Sequence, residues 1–331
     1  VVGSAAVSAD DLAALEFFGG CPVESLGPIA TQLRPLTAVP GQVLMHQGEQ
    51  AISFLLISKG RVEIHHEGTD GFVLVELGPG MIVGELALLR DAPRTATVTA
   101  VDEVSGWVGG REAIGDMLEI PWLLDKLLRT ARQRLATYIT PIAVQLRDGT
   151  DLRLRPVLPG DNARVVRGPV EFSSETLYRR FQTTHTPTPA LMRYLFEVDY
   201  VNHFVWVLTD GVDGPVIADA RFVREEADTA TAEIAFIVGD EYQGRGVGSF
   251  LMEALAVAAR AGGVTRFTAR VLADNYAMRA ILDKYEPQWH RDEQGVVTAL
   301  VNVPAPRTLS LSPKMYRQIR SMAGQVIRVV G

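Results

Sequence analysis

Residues 84–98 read GELALLRDAPRTATV. A glycine opens a short apolar turn, Glu85 leads that turn, and nine residues later a lone Arg94 stands between Pro93 and Thr95. A turn that enters a short helix presents unpaired N–H groups and the positive end of the helix dipole. The stretch therefore predicts an anion pocket with Arg94 as the countercharge. Glu85 supplies an acceptor for a sugar hydroxyl, so the implied ligand has one phosphate and one free ribose hydroxyl.

Outward from this stretch, residues 40–108 form short runs that alternate apolar and polar positions: PGQVLMHQGE, FLLISKGRVEIHH, FVLVELGPGMIVGE and TATVTAVDEVSGWVG. Turns fall at Gly41, Gly48, Gly60, Gly71 and Gly80. That rhythm predicts an antiparallel β-roll or jelly roll, preceded by short helices over 11–18 and 24–33. After Gly110 the period changes. Leu124, Leu127, Leu128, Ala131, Leu135 and Tyr138 fall at helical spacing on a helix that Pro121 helps to start. TPIAVQLRDGTDL reads as an extended connector, which sets a boundary near 141–152.

The second half alternates strands and helices, an α/β arrangement. DLRLRPVLP, HFVWVLTD, VIADARFVRE, TAEIAFIVG, TRFTARVL and GVVTALVNV read as strands. SSETLYRRF, capped by Ser173 or Ser174, SFLMEALAVAARAGG and NYAMRAILDKY read as helices. A tail over 304–331 carries one amphipathic helix.

A chain of 331 residues is long enough for two domains with proper cores. A formal net charge of -7 argues against a nucleic-acid binder, which needs a basic surface. The 28 arginines outnumber the four lysines, a bias that genomic base composition explains as readily as anion recognition. The single cysteine, Cys21, excludes an internal disulfide and fits a reducing compartment. There is no leader pattern, no membrane-length apolar run and no metal-binding cluster, so the expectation is a soluble cytoplasmic protein.

The first stretch resembles the phosphate-binding cassette of the cyclic-nucleotide-binding domains, G-E-[LI]-A-L followed by P-R-[ST]-A, here Gly84 to Leu88 and Pro93 to Ala96. The resemblance spans roughly 11–138. It implies that Glu85 holds the ribose 2′-hydroxyl, that Arg94 holds the cyclic phosphate, that Thr95 adds a hydroxyl contact and that Gly84, Leu86 and Ala87 form the backbone lining. In that family the helix after the roll closes over the base; Arg132 and Arg134 border its apolar stripe, and Arg134 is favoured for a contact with adenine.

Residues 243–249, QGRGVGS, lie between a strand and a helix. Glycines at 244, 246 and 248 let backbone amides approach a pyrophosphate. No G-K-[ST] follows, and the Rossmann spacing is absent. The order strand, Q-x-x-G-x-G, helix, strand, then Asn275 resembles the GNAT acetyltransferases over about Leu152 to Val303. It implies acetyl-CoA as co-substrate, contacted by Gln243, Gly244, Arg245, Gly246, Val247, Gly248, Ser249 and Asn275, and by the backbone of Phe236, Ile237 and Val238. A lysine is neutral in only about one molecule in 2500 at pH 7, so a base is useful, and Glu233 on the preceding strand is the candidate. An alternative pairs Glu233 with Arg221 or Arg270. The thioester carbonyl would be polarised by a backbone N–H near Val238. Many GNAT members have a tyrosine seven residues after the asparagine, where this chain has Leu282. Tyr276 and Tyr285 are nearby, which leaves the general acid open. His203 reads as a core or surface histidine.

Together the halves resemble the cyclic-AMP-regulated protein lysine acetyltransferases of mycobacterial type. This implies a sensor at 1–140, a linker at 141–152, a transferase at 153–303 and a tail at 304–331; at rest either the sensor or the tail is expected to cover the lysine-access side. The implied acceptors are lysines of other proteins, with acyl-CoA synthetases and universal stress proteins as classes, and cyclic AMP is the effector. Neither nucleic acid nor membrane is an expected partner. A small-molecule amine N-acetyltransferase carrying the same sensor is the alternative, because fold does not fix the acceptor.

Overall fold

The computed structural model describes residues 7–68, 71–162, 170–182, 188–212, 214–292 and 295–328. The chain divides between Tyr138 and Ile139 into two compact units.

In the first unit, α1 (Ala9–Ala13) and α2 (Gly27–Thr31), with two short helical turns, precede the strands. β1 (Arg34–Ala38), β2 (Val43–Met45), β3 (Ser53–Lys59), β4 (Val62–Gly68) and β5 (Gly71–Leu77) follow, then β6 (Ile82–Val83) and α3 (Glu85–Leu89). β7 (Thr97–Ala100) and β8 (Val104–Gly110) complete two four-stranded sheets, ordered β1-β8-β3-β6 and β2-β7-β4-β5. Every pairing is antiparallel. The inward residues Leu55, Ile57, Val62, Ile64, Val98 and Val104 meet in one buried cluster, the reason for the period-2 pattern. α4 (Arg111–Glu119) and α5 (Pro121–Thr137) close the unit. Pro121 occupies the first turn of α5, where its missing N–H costs nothing. The buried face of α5 is Leu123, Leu127, Ala131 and Leu135, with Leu124 and Leu128 at its margin. It is thus rotated from the stripe read in the sequence, because a leucine pair at 123–124 offers two equally apolar choices and only packing selects one.

The second unit is built on one eight-stranded sheet, ordered β15-β16-β14-β13-β12-β11-β10-β9. Its strands are β9 (Ile142–Gln145), β10 (Asp151–Pro156), β11 (His203–Asp210), β12 (Val216–Arg224), β13 (Thr231–Val238), β14 (Arg266–Leu272), β15 (Gln288–Arg291) and β16 (Val296–Asn302). Residues read as a connector at 141–152 instead contribute β9 and the start of β10, which pair as a hairpin. The alternation Ile142, Ala143, Val144, Gln145 has one buried face. Four residues are too few for that pattern to stand out from an extended linker.

The helices are α6 (Ser174–Phe181), α7 (Pro189–Phe196), α8 (Val247–Ala261), α9 (Tyr276–Leu282) and α10 (Pro313–Ile327). Ser173 caps α6 by accepting from Thr176 N at 3.2 Å. α8 is buried on nearly all sides, from Val247 through Ala259, because α10 packs on it. α10 buries Ile319, Met322, Ala323, Val326 and Ile327, and the buried Glu253 of α8 accepts from Ser310 N at 2.9 and 3.0 Å. The tail is therefore a packed layer of this unit.

β13 and β14 form the parallel pair of the sheet, and their register ends at Glu233↔Thr268. β13 runs on to Val238 and β14 to Leu272, so a wedge opens between them. Backbone groups on that edge of β13 face the wedge rather than a neighbouring strand.

Candidate nucleotide pocket and transferase cleft

In the first unit the pocket forms where β6 turns into α3. Gly84 holds φ at 86°, and a Cβ there would lie 2.7 Å from Arg94 Nη1 and 2.8 Å from the Met45 sulfur. No other residue fits this turn without pushing Arg94 aside. Arg94 is buried, donating from Nη1 to Gly84 O at 2.8 Å and from Nη2 to Ser53 O at 2.6 Å. Burial pulls its pKa down, and the carboxylates of Glu49 and Glu85 pull it back up. Glu85 has no exposed surface. Nη1 of Arg134, on α5, lies 2.6 Å from both of its carboxylate oxygens, and Nη2 donates to Ile82 O at 2.6 Å.

Gly84, Glu85, Leu86, Ala87, Arg94, Thr95 and Arg134 all line one cavity, together with Tyr138. Arg132 is not part of that lining. Tyr138, absent from the sequence-derived set, stacks on His66 with ring centres 4.7 Å apart, and His66 Nδ1 contacts Thr95 O. Its position in the apolar stripe masked its second role. The cavity measures about 30 Å³, space for one or two waters. A ligand of nucleotide size needs a pocket on the order of 300 Å³ or more, so the cavity in this arrangement is too small for one. Arg134, expected beside adenine, here neutralises Glu85, the carboxylate expected to hold the ribose.

In the second unit, a cavity of about 730 Å³ fills the β13–β14 wedge. Glu233 lines it near the point where the strands part, along with Phe236, Ile237 and Val238. Gln243, Gly244, Gly246, Val247, Gly248, Ser249 and Asn275 line it as well. Gly246 has φ 90°, and a Cβ there would meet nothing within 4 Å. The turn thus leaves open the space in front of the amides that begin α8, a cradle for a pyrophosphate. Gln243 Nε2 braces the loop, with Thr176 Oγ1 at 2.9 Å, Asp240 Oδ1 at 3.0 Å and Val238 O at 3.1 Å.

Arg245 is the exception. Its side chain turns out of the cavity lining, donates to Asp148 Oδ2 at 2.6 Å and contacts Thr150. Gly244 and Gly246 on either side both have positive φ, a backbone course that L side chains rarely allow. Asn275 lines the cavity, but its Oδ1 accepts from Met278 N at 3.1 Å and so caps α9. Lys284 was not singled out in the sequence. It lines the cavity and donates to Ser249 Oγ at 3.1 Å, bringing a cation to the end where the glycine turn lies. No spacing rule in the sequence marks it.

The ion-pair alternatives for Glu233 are not realised. Arg221 is held by Asp219 at 2.8 Å and Arg270 by Asp292 at 3.6 Å, which leaves the exposed Glu233 carboxylate facing the cleft. Neither Tyr276 nor Tyr285 lines the cavity. Tyr242 does, but its hydroxyl donates to Asp210 at 2.9 Å, and burial together with that bond raises its pKa to about 12. His203 is a core residue, 7% exposed, with its Nε2 unpaired. No described residue of 304–328 lines the cavity, so the tail helix does not cover it. Among the described residues there is no metal-binding cluster and no helix long and apolar enough to cross a membrane.

Comparison with known proteins agrees with both halves. Residues 36–120 match the cyclic nucleotide-binding domain family, and residues 151–286 match the acetyltransferase (GNAT) domain family. The chain is 58% identical to Acetyltransferase Pat of Mycolicibacterium smegmatis over 98% of each chain. The solved structure of a cAMP-binding acyltransferase from Mycobacterium smegmatis aligns with 54% identity, covering 98% of this chain and 97% of that one, at a TM-score of 0.51. A CRP-like cAMP-activated global transcriptional regulator of Mycobacterium tuberculosis is 28% identical over 38% of this chain and 57% of its own length. With a β-roll that carries a closed phosphate turn and a splayed sheet that carries a glycine cradle, the chain belongs to the acetyltransferases that join a cyclic-nucleotide-binding domain to a GNAT domain.

Proposed function

We propose that this acyltransferase moves the acetyl group of acetyl-CoA to lysine side chains of other proteins in the cytoplasm, under control of cyclic AMP. The observation that carries this reading is the cleft itself: about 730 Å³, with an unpaired carboxylate at one end and a glycine cradle with a lysine at the other. Acetyl-CoA supplies the activated acyl group. Its phosphates are held by the amides at Gly244 to Ser249 and by Lys284, and its pantetheine arm lies along the free edge of β13. Glu233 accepts the proton of the lysine ammonium, directly or through water, which frees the nitrogen lone pair. A backbone N–H of β13 near Val238 polarises the thioester carbonyl.

The sensor, whose strands and helices end at Tyr138, reads cyclic AMP with Arg94 on the phosphate and Glu85 on the ribose, and the transferase unit begins at Ile139 and includes the tail helix. Control requires that the nucleotide bind the active arrangement more tightly than the inactive one. The test compares acetylation of candidate proteins and of small amines, with and without cyclic AMP, using wild type and Glu233→Gln. Loss of about 100-fold or more in turnover is expected for the variant. Full activity of Glu233→Gln at pH 7 would overturn the base assignment, and acetylation of small amines alone would overturn the protein acceptor.

A further inference from the structure

The residues that line the transferase cleft include one carboxylate, Glu233, and four cations: Arg179, Arg180, Arg270 and Lys284. Three of the cations are engaged. Arg179 pairs with Glu175 on its own helix, Arg270 pairs with Asp292, and Lys284 donates to Ser249. Arg180 is different. Its contact is the ring of Phe181, whose centre lies 5.0 Å from the guanidinium carbon, and it forms no hydrogen bond or ion pair with a described residue.

The surroundings make that state costly. α6, which bears Arg180, packs on β13. Behind it stands a second guanidinium, Arg221, already committed to Asp219 through two nitrogens and to Leu195 O at 2.6 Å. Burial, and next the like charge of Arg221, pull the Arg180 pKa down to about 10, against the attraction of Asp219 and Glu233. A guanidinium has five N–H donors in a fixed fork. Leaving them unfilled in a half-buried site is unfavourable, and a planar anion of matching geometry relieves it. The phosphates of the co-substrate are expected at the glycine loop and Lys284, past the end of β13, whereas Arg180 feels the charge of Glu233 within that strand.

We propose that Arg180 is a specificity residue that binds a carboxylate carried by one of the reacting molecules at the Glu233 end of the cleft. Two molecules present such a group there. One is the acyl donor, when its acyl chain ends in a carboxylate, as in succinyl-CoA. The other is the acceptor, when an Asp or Glu side chain neighbours the reactive lysine. The chemical step is unchanged in both: the lysine ammonium gives one proton to Glu233, the freed amine bonds to the acyl carbon, the C–S bond breaks, and the second proton shed by nitrogen is taken up by the thiolate. The inference rests on the acyl-transfer roles proposed above for this cleft.

The experiment uses the full chain with saturating cyclic AMP and compares wild type, Arg180→Gln and Arg180→Lys. In the donor arm, kcat/KM is measured for succinyl-CoA and acetyl-CoA with one acceptor. In the acceptor arm, acetyl-CoA is held constant and peptides that differ only by Glu or Gln beside the lysine are compared. The readout is the ratio within each pair, which a loss of folded protein does not move. In the arm that supplies the natural carboxylate, wild type favours the charged ligand and Arg180→Gln lowers that ratio about tenfold or more, with Arg180→Lys between them. If both ratios stay the same in Arg180→Gln, the proposal is wrong. As a check on wild type alone, glutarate should inhibit competitively and glutaramide should not; equal inhibition would count against it. Glu233→Gln separates the two readings, because failure of the base assignment leaves its rates high, whereas failure of the carboxylate site leaves the Arg180 ratios flat.

Discussion

Replacing Arg134 with glutamine tests how the nucleotide pocket is kept shut. In the folded sensor Glu85 is wholly buried, and its two oxygens share Arg134 Nη1 at 2.6 Å. Removing one partner of a buried pair costs about 3–5 kcal/mol. The Arg134 side chain is 16% exposed, so water relieves part of the loss and the lower end, about 3 kcal/mol, applies. A ribose hydroxyl gives Glu85 a new donor, and a hydrogen bond to a charged group is worth about 1.5–3 kcal/mol. In wild type the ligand must displace Arg134 to gain that bond. In Arg134→Gln it meets a carboxylate already without its partner, so the gain is retained and cyclic AMP affinity rises about tenfold. Titration calorimetry on the full chain measures the affinity, and thermal unfolding should show a lower melting temperature that cyclic AMP restores. An affinity that stays constant while the melting temperature drops would refute competition between Arg134 and the ligand for Glu85, and an affinity that falls would place Arg134 on the bound nucleotide.

Two further outcomes follow from the second unit. Lys284→Met removes the cation beside Ser249, so the dissociation constant for acetyl-CoA, measured by calorimetry, should rise about tenfold or more; an unchanged constant would remove Lys284 from the phosphate site. Burial and then the Arg221 charge depress the His203 pKa to about 3, so the folded chain keeps this ring neutral while the unfolded chain protonates it below about 6.5. Stability is therefore full above pH 6.5 and is lost as pH falls from 6.5 toward 3, at about 1.4 kcal/mol per unit from this group. His203→Gln should reduce the difference between urea unfolding at pH 7.5 and at pH 5 by about 2 kcal/mol; an equal loss in the variant would show that other groups dominate.

Much of the fold was legible because its cues are local. Gly84, Gly244 and Gly246 have positive φ, and a turn that requires such backbone announces itself through glycine. The period-2 runs became the two sheets of the first unit because alternate residues had one core to face. The illegible parts depended on partners distant in sequence. Residues 142–145 became a strand because Asp151 to Leu154 lie beside them. The tail became a packed layer because α8 offers it an apolar surface.

The sequence alone determined both pocket frames: a phosphate turn with Glu85 and Arg94, and a glycine cradle with Glu233 on the strand before it. These follow from residue type at fixed short spacing, which the backbone cannot rearrange. The tertiary structure decided which side chains meet. It set Arg134 against Glu85, 49 residues away, turned Arg245 out of the cleft, brought Lys284 in, and left Arg180 without a hydrogen-bond or ion-pair partner among the described residues. Such choices depend on which face of a helix is buried and on what burial does to a charge, and both are settled only when the chain has folded.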